Sequence, residues 1–202
     1  MKLYYSPGAC SLSPHIALRE AGMMFELEKA SLKDHTLADG SDFYAITAKG
    51  QVPLLELDNG ERLSEGAAIL QYIADHAPAS GLAPPAGTMA RYRLMEWLNF
   101  VGTELHKGFS PLFNGKIPQE VKEIFAGRIR TKFEYVERAL EGQDYLMGAT
   151  FCVADAYLFT MTQWGDGLGI DTSALKNLTA YKARVAARPA VKEAMKAEGA
   201  RR

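Results

Sequence analysis

The chain has 202 residues, 48% of them hydrophobic and 23% charged, which is enough apolar material for one large or two small globular domains. Its 23 basic and 24 acidic side chains give a formal net charge of -1 and are spread without blocks, so nothing points to a nucleic-acid partner or a membrane surface. No stretch reaches the roughly 18 consecutive apolar residues of a membrane span, and we expect a cytoplasmic protein.

The first 80 residues alternate strand and helix patterns. "KLYYS" at 2–6 predicts a strand, residues 11–22 predict a helix, and "FELEKA" at 25–30 predicts a second strand. In "VPLLELDNGERLSE", the Asp-Asn-Gly turn at 58–60 predicts a hairpin of two short strands. A helix from about Glu65 to His76 follows, so the predicted order is β-α-β and then β-β-α.

The second half is predicted to be entirely helical. "APASGLAPPAGT", at 77–88, has no periodicity and suits a linker. Beyond it, helical patterns recur near 88–112, 118–141, 153–165, 174–187 and 190–198. We therefore expect a two-domain α+β protein, with an α/β domain at 1–77, a linker at 78–87 and an all-α domain at 88–202.

Cys10 stands where the first strand gives way to a helix. Unpaired N–H groups and the positive end of the helix dipole favour thiolate at such a position. "CSLS", at 10–13, is also a CxxS variant of the redox CxxC motif, with Ser13 in place of the resolving thiol. The alternative is a small buried cysteine covering the helix end; we favour a reactive one.

Two further stretches suggest a ligand site. The Val52-Pro53 bond before an apolar strand suggests a cis peptide that leaves the Val52 backbone free to pair with an extended peptide, whereas the alternative is a trans proline at an edge strand. Glu65 and Gly66 open a helix, where an N–H group could bind a carboxylate and the Glu65 side chain an ammonium. Alone, Glu65 is more simply an acidic residue in a first helical turn.

Together these stretches resemble the thioredoxin-like domain of cytosolic glutathione transferases. "YYSPGACSLSPHIALRE", "KGQVPLLELDNG" and "SEGAAILQYIADH" are similar to the bacterial beta class in particular, and the resemblance continues through "RYRLMEWLNFVGTELHKGFSPLF" and "FCVADAYLFT". It implies a thioredoxin-like domain followed by a helical domain, a homodimer, and glutathione as co-substrate. The four histidines and two cysteines form no metal-ligand spacing, so we expect no metal.

The resemblance also implies roles for residues of the first domain. Val52, next to Pro53, would pair with the cysteinyl backbone of glutathione, and Gln51 would contribute nearby. Glu65 and Gly66 would hold the γ-glutamyl end. Cys10 would face the glutathione sulfur.

Other classes of the family activate glutathione with a tyrosine or serine hydroxyl. Tyr5 and Ser11 are therefore the alternatives to Cys10 as the activating group. We rank Cys10 above both because the beta-class pattern matches.

In the helical domain Asn99, Thr103 and His106 recur on one helix face. The resemblance turns this face toward the thiol, with His106 as a hydrogen-bond donor or proton shuttle and Asn99 in support. Glu104 and Lys107 are assigned to a different face, from which either could reach the partner subunit's glutathione; the alternative is a solvated face.

Phe109, Phe113 and Trp164 are candidates for the apolar pocket of the electrophile, together with Tyr5. Aromatic residues at helical spacing also occur in cores, so that alternative stays open. At the start of a later helix, Cys152 occupies an N-cap where the family usually has Ser or Thr, and Asp155 would complete a capping box.

The predicted function is a glutathione transferase that conjugates the glutathione thiolate to small apolar electrophiles. Cys10 leaves two other enzyme reactions open, which are thiol-disulfide exchange and reductive dehalogenation. An alternative of another class is a stress protein that binds glutathione or apolar ligands without turnover.

Overall fold

The computed structural model describes residues 1–199, so the last three residues of the predicted helical domain lie outside the described range. The N-terminal part contains a four-stranded sheet in the order β2-β1-β3-β4. Its strands are β1 (Lys2–Tyr5), β2 (Glu26–Lys29), β3 (Leu54–Glu56) and β4 (Arg62–Ser64).

β1 pairs in parallel with β2 and antiparallel with β3, which pairs antiparallel with β4. Leu3, opposite Leu27 and Leu55, is fully buried at the centre of the sheet. Gly60 has a φ of 84°, the left-handed conformation that the turn between β3 and β4 requires. The β-α-β and β-β-α order predicted from the sequence is confirmed.

Two helices complete the N-terminal unit, α1 (Leu12–Glu20) and α2 (Gly66–His76). They bury Ile16 and Leu18 of α1 and Ile69 and Ile73 of α2. The polar stretch after β2 contains a short 3-10 turn, Phe43–Ala45, whose preceding Asp42 accepts a hydrogen bond from the Tyr44 N–H at 2.8 Å.

The C-terminal part is helical, as predicted. Its helices are α3 (Met89–Phe100), α4 (Lys107–Phe113), α5 (Gln119–Ala139), α6 (Val153–Gly167), α7 (Lys176–Ala186) and α8 (Pro189–Ala197). A 3-10 turn, Pro78–Ser80, lies in the segment predicted as a linker. The domain boundaries at 77/78 and 87/88 stay predictions.

A π-helical turn, Val101–His106, joins α3 to α4 where the sequence pattern predicts one continuous α-helix. Within it the Thr103 hydroxyl donates to the Asn99 carbonyl at 2.9 Å. This bond from a threonine hydroxyl to the carbonyl four residues earlier adds a side-chain contact at the entry to the turn.

α6 lies at the centre of the molecule. Its residues from Val153 to Thr162 are all buried, and it contacts α1 and α2 of the N-terminal unit as well as α3 and α7. One apolar core therefore continues through both parts of the chain. Within residues 1–199, no helix combines the length and hydrophobicity needed to cross a membrane.

Candidate active site

A cavity of about 770 Å³ opens between the two parts of the chain. From the N-terminal unit it is lined by the loop after β1, the segment before β3 and the start of α2, and from the helical part by α3, the π-helical turn, α4 and α6. The following residues, singled out in the sequence, meet there: Cys10, Gln51, Val52, Pro53, Glu65, Gly66, Asn99, Thr103, His106, Lys107, Phe113 and Trp164.

Cys10 is half-buried, and its thiol donates a hydrogen bond to the Val52 carbonyl at 3.3 Å. Burial raises the pKa of Cys10 to about 12, although the N–H groups of Cys10 and Ser11 act in the opposite direction. The sequence-based expectation of a thiolate favoured by the helix end is therefore wrong for the free protein. The Val52 carbonyl accepts the thiol proton in the free protein, so of the two Val52 backbone groups that we expected to be unpaired, the N–H alone is without a partner among residues 1–199.

The Val52–Pro53 peptide bond is cis, as the sequence suggests. The proposed resolving position does not face the sulfur in a redox arrangement, because the buried Ser13 hydroxyl donates to the Cys10 carbonyl at 2.7 Å. In this protein Ser13 of the CxxS sequence therefore stabilises the start of α1.

His106 lies in the opposite wall, at the end of the π-helical turn. Its Nδ1 is 2.6 Å from the hydroxyl of Tyr157, and its ring meets that of Trp164 edge to face at a centroid distance of 5.0 Å. Burial lowers the pKa of His106 to about 4, and the neighbouring Lys107 lowers it further while Glu65 opposes this. The imidazole is therefore neutral at pH 7 and carries one N–H donor.

Glu65 has a φ of 71°, which is unusual for a residue with a side chain and which turns the backbone into α2. Its carboxylate is exposed and pairs with Lys49, Nζ to Oε1 at 2.5 Å. The hydrogen bond from Lys49 is the main cause of the lowered pKa of Glu65. The N–H groups of Gly66 and Ala67, the first two of α2, have no partner inside the helix, and both residues line the same end of the cavity.

Two residues that the sequence suggests for the site, Ser11 and Tyr5, do not line the cavity. The Ser11 hydroxyl is buried and holds the loop, since it donates to the Ser6 carbonyl at 3.3 Å and accepts from the Ser6 N–H at 3.2 Å. The Tyr5 ring packs near His15, with centroids 6.3 Å apart. Neither residue reaches the thiol site, because the chain turns at the loop and directs these side chains elsewhere.

Two predicted residues of the helical part also lie away from the cavity wall. Phe109 is fully buried, with its ring edge to face against Trp164 at 5.6 Å, so it belongs to the core that supports the wall. Glu104 pairs with Lys132 on α5 at 2.6 Å. Lys107, in contrast, lines the cavity; it follows Thr103 by four residues and so shares its face, which corrects the separate face that we assigned to it.

Comparison with known proteins gives the family. The family model for the glutathione S-transferase N-terminal domain matches residues 1–75, and that for the C-terminal domain matches residues 100–189. Glutathione S-transferase GstA of Escherichia coli O157:H7 is 45% identical over 199 residues, covering 98% of this chain and 99% of that protein. The chain belongs to the glutathione S-transferase family.

Solved structures of glutathione S-transferases agree in sequence and in fold. The beta-class enzyme of Sphingomonas chungbukensis is 46% identical, with a TM-score of 0.96 and complete coverage of both chains. A sphingomonad glutathione S-transferase solved in complex with glutathione is 48% identical, with a TM-score of 0.95, over 98% of this chain and 99% of that one. The resemblance to the bacterial beta class is confirmed.

Tyr157 and Lys49 of this glutathione S-transferase also line the cavity, and neither was predicted from the sequence. Tyr157 precedes Trp164 by seven residues and so lies on the same face of α6, which helical periodicity could have indicated. Lys49 stands two residues before Gln51, but no local pattern links it to Glu65. Within residues 1–199, no group of three or more metal-ligating side chains is close enough to hold an ion.

Proposed function

We propose that the protein binds glutathione in this cavity and transfers its sulfur to small electrophiles. The observation that carries the proposal is the convergence of Cys10, Val52, Glu65 and His106, from four separate segments, on one cavity. These are side-chain and backbone groups suited to a thiol, an extended peptide backbone and an ammonium-carboxylate end. The glutathione bound to the 48% identical sphingomonad enzyme supports the same ligand here.

In the proposed complex the γ-glutamyl ammonium pairs with Glu65, and its carboxylate is bound by the free N–H groups at the start of α2 and by Lys49. Charge-assisted bonds of this kind are stronger than neutral ones. Gln51 and the Val52 backbone contact the peptide part, with Pro53 fixing the turn. Asn99 supports the opposite wall.

The glutathione sulfur lies between Cys10 and His106 in this arrangement. Both groups are neutral at pH 7 and carry a proton. His106 can donate its N–H to the glutathione thiolate, and Cys10 can donate its thiol proton when the thiol turns to the thiolate from the Val52 carbonyl, its acceptor in the free protein. Donors aimed at the sulfur lower its pKa and raise the population of the nucleophile. Phe113 and Trp164 supply an apolar wall on which an electrophile can be held close to it.

Conjugation is favoured over thiol-disulfide exchange because the raised pKa of Cys10 leaves little of the attacking thiolate. The same observation disfavours reductive dehalogenation through Cys10. Simple binding without turnover is disfavoured by the two donors that face the sulfur position.

Glu65→Gln tests the γ-glutamyl site, because it keeps the side chain's shape and removes its charge. We expect glutathione affinity, measured by calorimetry, to fall roughly 10- to 100-fold, the scale of one lost charge-assisted bond. Glu61→Gln, in the exposed turn between β3 and β4, is the matched control and should bind like the parent. Turnover of chlorodinitrobenzene measures conjugation. Equal affinity of the parent and both variants would contradict the assigned site.

We also propose that the protein is a homodimer. α3 exposes Met89 (70%), Tyr92 (56%) and Met95 (40%) at helical spacing, an apolar surface that a second copy would cover. Glu104 could approach the partner's glutathione only by leaving Lys132. Sedimentation should show a dimer in the parent and a monomer in Tyr92→Glu; a monomeric parent would overturn this proposal.

A further inference from the structure

Tyr157 belongs to α6, and its hydroxyl group contacts His106 in the wall of the cavity. Its phenol oxygen lies 2.6 Å from Nδ1 of His106, and only 4% of its surface is exposed. The phenol oxygen lies close to the backbone at Gly66 and Gly102, since a Cβ at Gly102 would be in van der Waals contact with it at 3.6 Å and one at Gly66 at 3.9 Å. The phenol is thus enclosed between α2, the π-helical turn and α6.

The direction of this hydrogen bond follows from what else the phenol can reach. Burial raises the pKa of Tyr157 above its usual range and lowers that of His106 to about 4, so both groups are neutral at pH 7. If the Nδ1–H group donated to the phenol oxygen, the phenol proton would need a second acceptor. Within residues 1–199, Nδ1 of His106 is the recorded hydrogen-bond partner of this hydroxyl. A buried donor without an acceptor is costly, so the phenol is the donor.

The second ring nitrogen of His106 faces the cavity. Among residues 1–199, every buried side-chain nitrogen or oxygen has a hydrogen-bond partner, whereas Nε2 of His106 has none recorded and His106 lines the cavity wall. Nε2 is therefore open to the cavity. The edge-to-face contact with Trp164 holds the ring in this orientation.

We propose that Tyr157 is a positioning residue that keeps the proton of neutral His106 on Nε2, where it points at the sulfur position. The hydrogen bond made by one imidazole nitrogen determines which tautomer is present at the other. This inference deepens the proposed function and rests on it. Its consequence is that the donor for the glutathione thiolate is present before glutathione binds.

The tautomer can be read directly in the unliganded full-length protein labelled with ¹⁵N-histidine, with His106→Gln used to assign the signal. We expect an unprotonated Nδ1 and a protonated Nε2 in the parent at pH 7. Tyr157→Phe, which removes only the hydroxyl, should shift both signals toward the average of two exchanging tautomers. Tyr181→Phe is the matched control, because that buried phenol donates to the Asp155 carbonyl at 3.0 Å, outside the cavity, and should leave the His106 signals unchanged.

Kinetics supply the second readout. Tyr157→Phe should lower kcat for conjugation roughly tenfold or more, the usual scale for losing the partner that orients a functional histidine, with little change in KM for glutathione. In the His106→Gln background the same substitution should have no further effect on kcat. Tyr181→Phe should retain kcat.

A parent with the proton on Nδ1, or His106 signals and kcat unmoved by Tyr157→Phe, would overturn the positioning role while leaving the proposed function intact. A parent that neither binds nor conjugates glutathione would instead overturn the proposed function, and the histidine signals would still report whether Tyr157 selects the tautomer. If Tyr157→Phe is unfolded, Tyr157→Met, which also carries no hydrogen-bond donor, takes its place in both measurements.

Discussion

At the scale of single residues, the sequence predicts where Cys10 lies but not the pKa of its thiol. The sequence "SPGACSLSP" predicts that Cys10 lies just before α1, and Cys10 lines the cavity as expected. The local sequence does not predict the pKa of Cys10, because the pKa is raised mainly by burial under segments that come together only in the folded protein. The same applies to Ser11 and Tyr5, whose side-chain directions depend on the turn of the loop.

The alkylation rate of Cys10 by iodoacetamide tests the raised pKa. Well below its pKa, the thiolate fraction of a thiol rises tenfold per pH unit, so we expect the rate to rise about tenfold per unit from pH 7 to pH 9. A thiol with a lowered pKa would instead react at a nearly constant rate over this range. Peptide mass spectrometry separates Cys10 from Cys152.

Free glutathione is the control for this measurement, because an ordinary thiol begins to level off near pH 8.5. Cys10→Ser removes the signal and leaves the Cys152 background. An alkylation rate of Cys10 that stays constant from pH 7 to pH 9 would mean that Cys10 is a thiolate, as the sequence alone suggests. It would favour thiol-disulfide exchange over the role of Cys10 as a hydrogen-bond donor.

At the scale of elements, the sequence predicts most of the fold because each signal is local. Asn59-Gly60 marks the hairpin, and the helical periods end close to the observed bounds of α5 and α6. The π-helical turn at Val101–His106 has no such signature, since its residues fit an α-helix equally well. His106, which we propose as a hydrogen-bond donor to the glutathione thiolate, lies at the end of that turn.

The start of α6 offers a test at this scale. Asp155 accepts from the Cys152 N–H at 2.9 Å and from the Cys152 thiol at 3.1 Å, while its other oxygen accepts from the Leu146 N–H at 2.9 Å. The capping box is therefore formed with sulfur in the place of a hydroxyl. Sulfur is a weaker donor and acceptor than oxygen.

Cys152→Thr should raise the free energy of unfolding by about 0.5 to 1 kcal/mol, because the hydroxyl bonds more strongly and the methyl group keeps part of the buried volume. Urea unfolding at fixed protein concentration measures this, and glutathione affinity should stay unchanged. Cys152→Ala is the reference that lacks both groups and should be the least stable of the three. A threonine variant below the parent would mean that packing of the sulfur, 3% exposed in the core, outweighs its capping role.

At the scale of the whole molecule, the loop that carries Cys10 is held by the helical part. Trp164 Nε1 donates to the Gly8 carbonyl at 2.7 Å, and the Gly8 N–H donates to Glu198 at 3.0 Å. Glu198 follows α8 and also binds Nδ1 of the buried His15 at 2.9 Å. These bonds join residues more than 150 positions apart, so no local pattern in the sequence could have indicated them.

Glu198→Ala tests how strongly this contact couples the two parts. It leaves the Gly8 N–H and the His15 Nδ1–H without their acceptor. Gly8 is exposed, so water can replace Glu198 there, whereas His15 is fully buried and an unsatisfied buried donor costs about 1 to 3 kcal/mol. The free energy of unfolding should therefore fall by about 1 to 3 kcal/mol. Because Trp164 then supplies the one remaining hydrogen bond of the two between the helical part and Gly8, Cys10 should also be alkylated faster at constant pH. Glu193→Ala is the matched control, since that glutamate lies on α8, pairs with Arg19 at 3.1 Å and is 67% exposed in its side chain. Exposed pairs contribute little, so the control should stay within about 0.5 kcal/mol of the parent. Equal losses in the two variants would mean that the coupling comes from packing of α8 against α1 and not from Glu198.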